Sequence, residues 1–351
     1  MKIIYTGIQA ENYDPKRKYS FEYNNFYLTL KGMPGVSVIE YPFDRILEIG
    51  KKRFNEELFE LVKKEEPDIL FTFMFSDELD TRTLNRIRTE TKTKTVAWFA
   101  DDYWRFFNYS RHHAPHFSYA VTTYNKAVEW YRAAGYNNAI LSQWACNTHA
   151  FMPRELPQDI DVSFIGQRKP QRAKVIDTLA NRGVKVEAYG FGWPNGRVAP
   201  HEMQNIIGRS KINLNLNVRG GLLSPAVIGR LVLKRSLDRL VPDFHIIDNI
   251  RAYLHFPTPH IHARPFELSG MKAFVISGYA SGMEQYYEDD KEMVFYRGAG
   301  RQGIDDLTDK IRYYLSHDAE RESIRAAGYA RTIRDHTYEE RFKELFRAMG
   351  F

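Results

Sequence analysis

The chain contains 351 residues, of which 43% are hydrophobic, and its formal net charge is +6. This length favours two domains, each able to bury its own core. We find no apolar run long enough to span a bilayer and no signal peptide at the first residues. Cys146 is the only cysteine, which excludes an intrachain disulfide and fits a reducing compartment. We therefore expect a cytoplasmic protein. The mild basic excess suits phosphate-bearing ligands, an anionic membrane or nucleic acid without choosing among them.

The first half alternates strands and helices, which predicts a doubly wound parallel sheet. The predicted strands are 2–7, 36–41, 68–75, 95–100, 119–123 and 139–143, and the predicted helices are 21–31, 51–64, 79–88 and 126–134. Two prolines and mixed polarity then mark residues 147–160 as a linker.

A second strand–helix series follows the linker. Its predicted strands are 161–166, 184–189, 212–217, 273–277 and 293–296, and its predicted helices are 171–182, 201–209, 264–272, 282–288, 305–316 and 319–334. Thr337 and Glu340 form a capping box that opens the last helix.

These patterns predict two domains joined by a short linker. The predicted ranges are an N-terminal domain 1–150, a linker 151–160, a C-terminal domain 161–336 with an insertion at 218–262, and a helix 337–351 that packs back on the N-terminal domain. Within the insertion, 228–241 predicts a basic amphipathic helix. Such a helix either lies on an anionic membrane or packs with its charges solvated.

The loop after the strand 161–166 favours a diphosphate. Gly166 permits a tight turn, and the following helix N-terminus offers free N–H groups. Arg168 and Arg172 add positive charge, and arginine can chelate a diphosphate. The alternative is a solvated basic loop. The chain has no G-x-G-x-x-G sequence and no P-loop lysine motif here, which disfavours NAD binding and kinase activity.

Arg264-Pro-Phe-Glu267 begins a short helix that precedes a buried strand. An acid there points into the crevice at the carboxyl ends of a parallel sheet, where it can accept hydrogen bonds from both ribose hydroxyls. The alternative is a glutamate favoured by the helix dipole. His262, just before this helix, is placed to touch a phosphate.

Two glycine-containing loops are further candidates for nucleotide contacts. In Tyr189-Gly190-Phe-Gly-Trp193 the aromatic rings can stack on a nucleobase, although an ordinary aromatic turn is the alternative. Ser281 and Gly282 lie at the start of the predicted helix 282–288 and form a second candidate anion cradle.

Asp101 and Asp102 follow the strand 95–100, so that they face the ligand crevice. Either can act as a general base on an acceptor hydroxyl, and the aromatic residues around them would raise a pKa. The alternative is a pair that caps a short helix beginning at Tyr103.

The second half resembles the CgeB/YkvP-like (spore-maturation-protein-like) glycosyltransferases of the GT-B fold. The resemblance covers about residues 160–345, and each motif is weak alone while the set is fairly specific. The matching pieces are Val162-Ser-Phe-Ile-Gly166 with Arg172, Val186-Glu-Ala-Tyr-Gly190 with Trp193, Ser210-Lys-Ile-Asn-Leu-Asn215, Arg264-Pro-Phe-Glu267 with Gly270, Phe274-Val-Ile-Ser277, Glu284 with Tyr286 and Tyr287, and His336-Thr-Tyr-Glu-Glu-Arg341. The excursion at 218–262 is longer than the family leads us to expect.

The resemblance implies an α/β protein with two facing Rossmann-like domains, parallel sheets and a C-terminal crossover helix. It implies a metal-independent transfer of a sugar from a nucleotide-diphosphate sugar to an acceptor hydroxyl in an interdomain cleft, without a cofactor. Glu267 would hold the donor ribose, and Arg168 or Arg172 the diphosphate.

Several partners and functions stay open. The acceptor is a saccharide, a protein or a lipid-linked molecule, and 228–241 can give peripheral contact with the inner membrane face. The alternative functions are a sugar-nucleotide epimerase, a nucleic-acid-binding or DNA-modifying protein, and a non-catalytic nucleotide-sugar-binding protein. Nucleic acid is not the expected partner.

Overall fold

The computed structural model describes residues 1–217, 221–298 and 300–351. These form two compact units. Unit 1 comprises Met1–Gln143, Leu222–Thr258 and Arg341–Phe351, and unit 2 comprises Trp144–Gly221 and Pro259–Glu340.

The described residues contain thirteen strands and fifteen α-helices. The strands are β1 (Lys2–Thr6), β2 (Ser37–Glu40), β3 (Ile69–Met74), β4 (Lys94–Phe99), β5 (Tyr119–Thr122), β6 (Ala139–Leu141), β7 (Ile160–Ile165), β8 (Glu187–Tyr189), β9 (Ser210–Asn215), β10 (Leu233–Ser236), β11 (Arg239–Pro242), β12 (Val275–Gly278) and β13 (Val294–Tyr296). The helices are α1 (Leu28–Gly32), α2 (Ile46–Ile49), α3 (Lys51–Glu65), α4 (Thr81–Glu90), α5 (Asp102–Arg105), α6 (Arg111–His113), α7 (Asn125–Ala133), α8 (Pro170–Asn181), α9 (Pro200–Arg209), α10 (Pro225–Gly229), α11 (Ile246–His255), α12 (Arg264–Gly270), α13 (Gly300–Leu315), α14 (Asp318–Asp335) and α15 (Tyr338–Ala348).

Unit 1 is built on a six-stranded parallel sheet in the order β2-β1-β3-β4-β5-β6. Every residue of β3 is buried, as its continuous apolar run predicted for a strand covered on both faces. The C-terminal segment belongs to this unit, because the ring of Phe342 lies 5.5 Å from that of Phe26 and 5.8 Å from that of Phe71.

Unit 2 is built on a five-stranded parallel sheet in the order β13-β12-β9-β7-β8. The asparagines of β9 are buried and use their amides across the sheet. Asn213 accepts a hydrogen bond from Ser163 at 3.1 Å, and Asn215 donates one to Ser277 at 2.9 Å. These side-chain bonds satisfy polar groups that the interior would otherwise penalise.

The structure corrects two helix predictions. Residues 228–241 do not form a basic amphipathic helix: they contain the end of α10 and the hairpin of β10 and β11. The predicted helix 282–288 is a three-residue 3-10 helix at Met283–Gln285.

The insertion is assigned to a different part of the protein from the one that the predicted domain ranges gave it. Residues 222–258 belong to unit 1, whereas the sequence placed them inside the C-terminal domain. The first three residues of the predicted insertion lie outside the described part of the chain.

Candidate functional site

The carboxyl ends of β7 and β9 mark the point in unit 2 where the strand order reverses. The chain runs from β7 to β8 on one side, and β9 then pairs with the other side of β7. In doubly wound sheets, ligands bind in the crevice beyond such a point. The loop after β7 starts at Gly166, and Arg172 lies in the first turn of α8.

The guanidinium of Arg172 is held in place but not satisfied by the protein. Its Nη1 donates to the carbonyl of Gln167 at 3.2 Å, and its Cζ lies 5.5 Å from the ring centroid of Phe164. Among the described residues, its buried Nε has no hydrogen-bond partner. Burial and the charge of Arg264 lower the pKa of Arg172. A bound anion would relieve both the unmet donor and the repulsion between the two cations.

His262 lies in the same positive environment. Burial, followed by the charges of His260, Arg172 and Lys169, lowers the pKa of His262 well below its ordinary value. The imidazole is therefore neutral at neutral pH. That His262 contacts a phosphate stays a prediction from the sequence.

Glu267 is buried in α12 and paired with a cation. Its Oε2 lies 2.9 Å from Nη1 of Arg264, which also lies 3.5 Å from the sulfur of Met203. Burial and the negative charge of Glu267 raise the pKa of Cys146, so that its thiol stays protonated. The pair places a hydrogen-bond acceptor next to Arg264, the cation whose charge acts on Arg172.

Tyr189, Gly190 and Trp193 support the loop after β7 from within. The indole Nε1 of the buried Trp193 donates to the carbonyl of Gly166 at 2.9 Å, and the hydroxyl of Tyr189 donates to Glu187 at 2.8 Å. Gly190 has φ +126°, and a Cβ there would clash with the same carbonyl of Gly166. Gly190 and Trp193 therefore shape the loop, and the stacking of Tyr189 or Trp193 on a base stays a prediction.

The outer side of this loop carries exposed groups. The guanidinium of Arg168 lies 5.5 Å from the ring centroid of Trp193, and Phe191 in the same turn is 60% exposed. Phe191 is a candidate for base stacking that sequence reasoning passed over.

A cavity of about 770 Å³ opens at the strand ends of unit 2. Asn217 lines it just after β9, Gly278 and Tyr296 line it as the last residues of β12 and β13, and Gln171 lines it from α8. Its volume suits a ligand of nucleotide size. Arg172 and Glu267 do not line this cavity, and neither do Ser281 and Gly282. The short 3-10 helix after Gly282 lacks the long helix N-terminus that the sequence led us to expect.

In unit 1 the two candidate acids at the end of β4 take different positions. Asp102 is fully buried; it accepts hydrogen bonds from Tyr131 at 2.9 Å and from Ser110. Burial raises the pKa of Asp102 to about 7, against the opposing effect of these donors. Its carboxylate is thus engaged inside the protein.

Asp101 instead lines a cavity of about 720 Å³ in unit 1. Its backbone is left-handed, with φ +62°, a conformation that costs energy outside glycine and often marks functional residues. Its carbonyl caps α5 by accepting from the amide of Arg105 at 2.9 Å. Of the two acids, Asp101 is the one that a bound molecule can reach.

The remaining walls of this cavity come partly from residues 222–258. Arg230 lies with its Cζ 4.6 Å from the ring centroid of Trp104, and Arg105 donates to the carbonyl of Phe75 at 2.8 Å. No carboxylate of the described residues lies within ion-pair distance of either guanidinium. Burial and the charges of Arg105 and His112 lower the pKa of His113 to about 4, and its buried Nδ1 has no partner in the described part of the chain. Sequence reasoning missed Arg230 as a member of this cluster, because it reaches the cavity from a distant segment.

Part of the chain is similar in sequence to a known protein family. Residues 244–347 match the model of a glycosyl transferase-like family, so this part of the chain is similar to glycosyltransferases. No curated protein matches the chain in sequence.

Solved structures show the fold. Sucrose-phosphate synthase from Thermosynechococcus elongatus superposes with a TM-score of 0.61 at 9% identity, over 99% of this chain and 98% of that chain. A glycosyltransferase from Rickettsia africae superposes with a TM-score of 0.59 at 12% identity, over 99% of this chain and 98% of that chain. HepE from Anabaena in complex with UDP gives 0.58 at 9% identity, over 99% of each chain. The chain has the GT-B fold, and the predicted fold class is confirmed.

Proposed function

We propose that this protein is a glycosyltransferase that moves a sugar from a nucleotide-diphosphate sugar to an acceptor hydroxyl. The observation that carries the proposal is Arg172, whose Nε has no partner among the described residues, close to Arg264, which pairs with Glu267. Arg172 follows β7, where the strand order of unit 2 reverses. The match of 244–347 to a glycosyl transferase-like family supports it. The assignment to the CgeB/YkvP-like subfamily rests on the motifs quoted above.

Each group of the donor has a proposed partner in unit 2. Glu267 accepts hydrogen bonds from the ribose hydroxyls, while Arg264 holds its carboxylate in place. Arg172, assisted by Arg168, donates to the diphosphate. UDP-sugars are the first donors to test, because HepE was solved in complex with UDP and with UDP-glucose.

The proposed transfer relies on side-chain charge. The bond between the anomeric carbon of a hexosyl or related group and the diphosphate oxygen breaks, and negative charge develops on the departing diphosphate. Preorganised cations such as Arg172 stabilise that charge strongly in a site shielded from water. We therefore propose that the reaction needs no metal ion, which predicts full activity in the presence of EDTA.

The acceptor is proposed to bind in the cavity of unit 1. There Asp101 takes the proton from the acceptor hydroxyl while the oxygen of that hydroxyl forms a bond to the anomeric carbon. Arg105 and Arg230 suit an acceptor with a phosphate or carboxylate group, whether saccharide, protein or lipid-linked. That both substrates meet in an interdomain cleft stays a prediction from the sequence, as does the cytoplasmic location suggested by the lone Cys146.

The proposal is tested by thermal shift and donor hydrolysis with UDP-, GDP-, ADP-, CMP- and dTDP-sugars. We expect one nucleotide to raise the melting temperature of the wild type by several degrees, as ligand linkage requires. Glu267→Gln should abolish this shift, whereas the exposed Glu202→Gln in α9 should retain it.

Other outcomes point to the alternatives. Donor binding without hydrolysis or transfer to any acceptor would indicate a non-catalytic binding protein, and a changed sugar without an acceptor would indicate an epimerase. If no donor shifts the wild type, the transferase proposal fails. Salt-dependent affinity for DNA should then be measured.

A further inference from the structure

Helix α11 of unit 1 turns its polar side toward the protein. Asp248 forms an ion pair with Arg111 at 2.7 Å, and Asn249 accepts a hydrogen bond from Asn108 at 2.9 Å. Ala252, one turn later on the same side, is buried. These contacts fix the orientation of the helix on unit 1.

The opposite side of α11 is apolar and faces solvent. Ile246, Ile250 and Leu254 follow one another at intervals of four residues and therefore share one side, with Ile247 beside them. Ile247 is 69% exposed, Leu254 is 62% exposed, and Phe244 just before the helix is 86% exposed. We call these five residues the apolar face. An amphipathic helix of a globular protein normally buries such residues, so a contiguous exposed group marks an interaction surface.

The segment that carries the apolar face is basic. Residues 222–258 contain five Lys or Arg and three Asp. Each of the three acids already has a partner: Asp243 pairs with His245 at 2.7 Å, Asp248 with Arg111 at 2.7 Å and Asp238 with Arg239 at 3.6 Å. The basic side chains of Lys234, Arg239 and Arg251 are exposed. Basic residues beside Leu, Ile and Phe are typical of helices that lie in the interface of an anionic membrane.

We propose that the apolar face docks unit 1 on the surface of a membrane that contains anionic lipids. Its Phe, Ile and Leu side chains enter the boundary between headgroups and acyl chains, while the nearby Lys and Arg attract the headgroups. Aliphatic side chains make up four of its five members, whereas protein interfaces favour Tyr, Trp and Met. Among the described residues, no helix is long and apolar enough to cross the bilayer, so the contact is a peripheral one. The membrane contact predicted at 228–241 thus moves to 244–254.

Co-sedimentation with vesicles tests the proposal without reference to sugar transfer. The full chain is mixed with vesicles of phosphatidylcholine, or of phosphatidylcholine with phosphatidylglycerol. We expect the wild type to bind the anionic vesicles, less so as salt is added. Ile247→Ser/Ile250→Ser/Leu254→Ser should lower the partition coefficient by on the order of tenfold or more, because each apolar side chain contributes to insertion.

The matched control replaces three exposed leucines elsewhere in unit 1, Leu28→Ser/Leu47→Ser/Leu141→Ser. It should bind as the wild type does, and both triple variants should melt close to the wild type because the replaced side chains are exposed. Equal binding by the two triple variants would overturn the proposal. So would a wild type that ignores anionic vesicles but dimerises in sedimentation velocity while the α11 variant stays monomeric, since a second copy would then cover the face.

Discussion

The two units place charge differently at the ends of similar parallel sheets. In unit 2 Arg264 pairs with the buried Glu267, and Arg172 keeps a donor that no described residue satisfies. In unit 1 an accessible acid, Asp101, lines a cavity together with Arg105 and Arg230, whereas the neighbouring Asp102 is fully buried. Under the proposed function, this difference assigns the anionic donor to unit 2 and the acceptor, which must lose a proton, to unit 1.

The largest effect on activity is expected from removing the cation Arg172 of unit 2. We expect Arg172→Gln to lower kcat/KM for the best donor by about 100- to 1000-fold, because the charge that develops on the leaving diphosphate loses its stabilising partner. Steady-state kinetics measures this. Arg209→Gln, which removes an exposed ion pair with Asp159, is the control and should change kcat/KM less than about twofold. Equal losses in both variants would contradict the assignment.

Replacing the accessible acid, Asp101, tests the role proposed for unit 1. Asp101→Asn should lower kcat by about 100-fold by removing the base, and donor affinity should not change. Asparagine tolerates the left-handed backbone at this position, so the fold should survive. Transfer at the wild-type rate would show that another group takes the proton, with the neutral His113 in the same cavity as the next candidate.

The sequence predicted both sheets and several members of the candidate donor site. Long buried runs such as β3, and the repeated strand–helix order, depend on local patterns that are visible in the chain. Gly166, Arg172 and Glu267 could be chosen because strand ends of a doubly wound sheet share one edge.

The hairpin at β10 and β11 could not be predicted from local pattern. Its residues have helical spacing, yet Leu237 adopts φ +54° in the turn and its amide donates to Ser76 at 2.9 Å. That partner lies far away in sequence, and tertiary contacts of this kind override local propensity. The cavity around Asp101 was missed for the same reason, because Arg230 reaches it from a distant segment.

A third prediction concerns the loop that supports the anion site. Gly190→Ala should destabilise unit 2 by about 2 kcal/mol or more, since the added Cβ meets the backbone carbonyl of Gly166 and the backbone is already at φ +126°. Gly196→Ala is the control: its φ is +68°, but its Cβ would meet nothing within 4 Å, so only the backbone cost of about 1 kcal/mol applies. Chemical denaturation compares the two, and an equal loss would contradict the close packing.

The smallest expected effect concerns the buried acid Asp102, which changes how the free energy of unfolding depends on pH. The pKa of Asp102 is about 7 in the folded state and about 3.9 when unfolded, so the folded state binds the extra proton. Its contribution is complete below about pH 4 and is lost as the pH rises to about 7. Asp102→Asn should therefore make the decline of stability between these pH values shallower, as urea unfolding at several pH values would measure. An unchanged slope would show that Asp102 does not bind a proton in this range.

The most direct test of the account is a crystal structure of the protein with UDP, or with whichever nucleotide stabilises it. The account predicts the diphosphate within hydrogen-bond distance of Arg172 and the ribose hydroxyls at the carboxylate of Glu267, both in unit 2. A nucleotide bound only in the cavity of unit 1, or in unit 2 away from both residues, would contradict it.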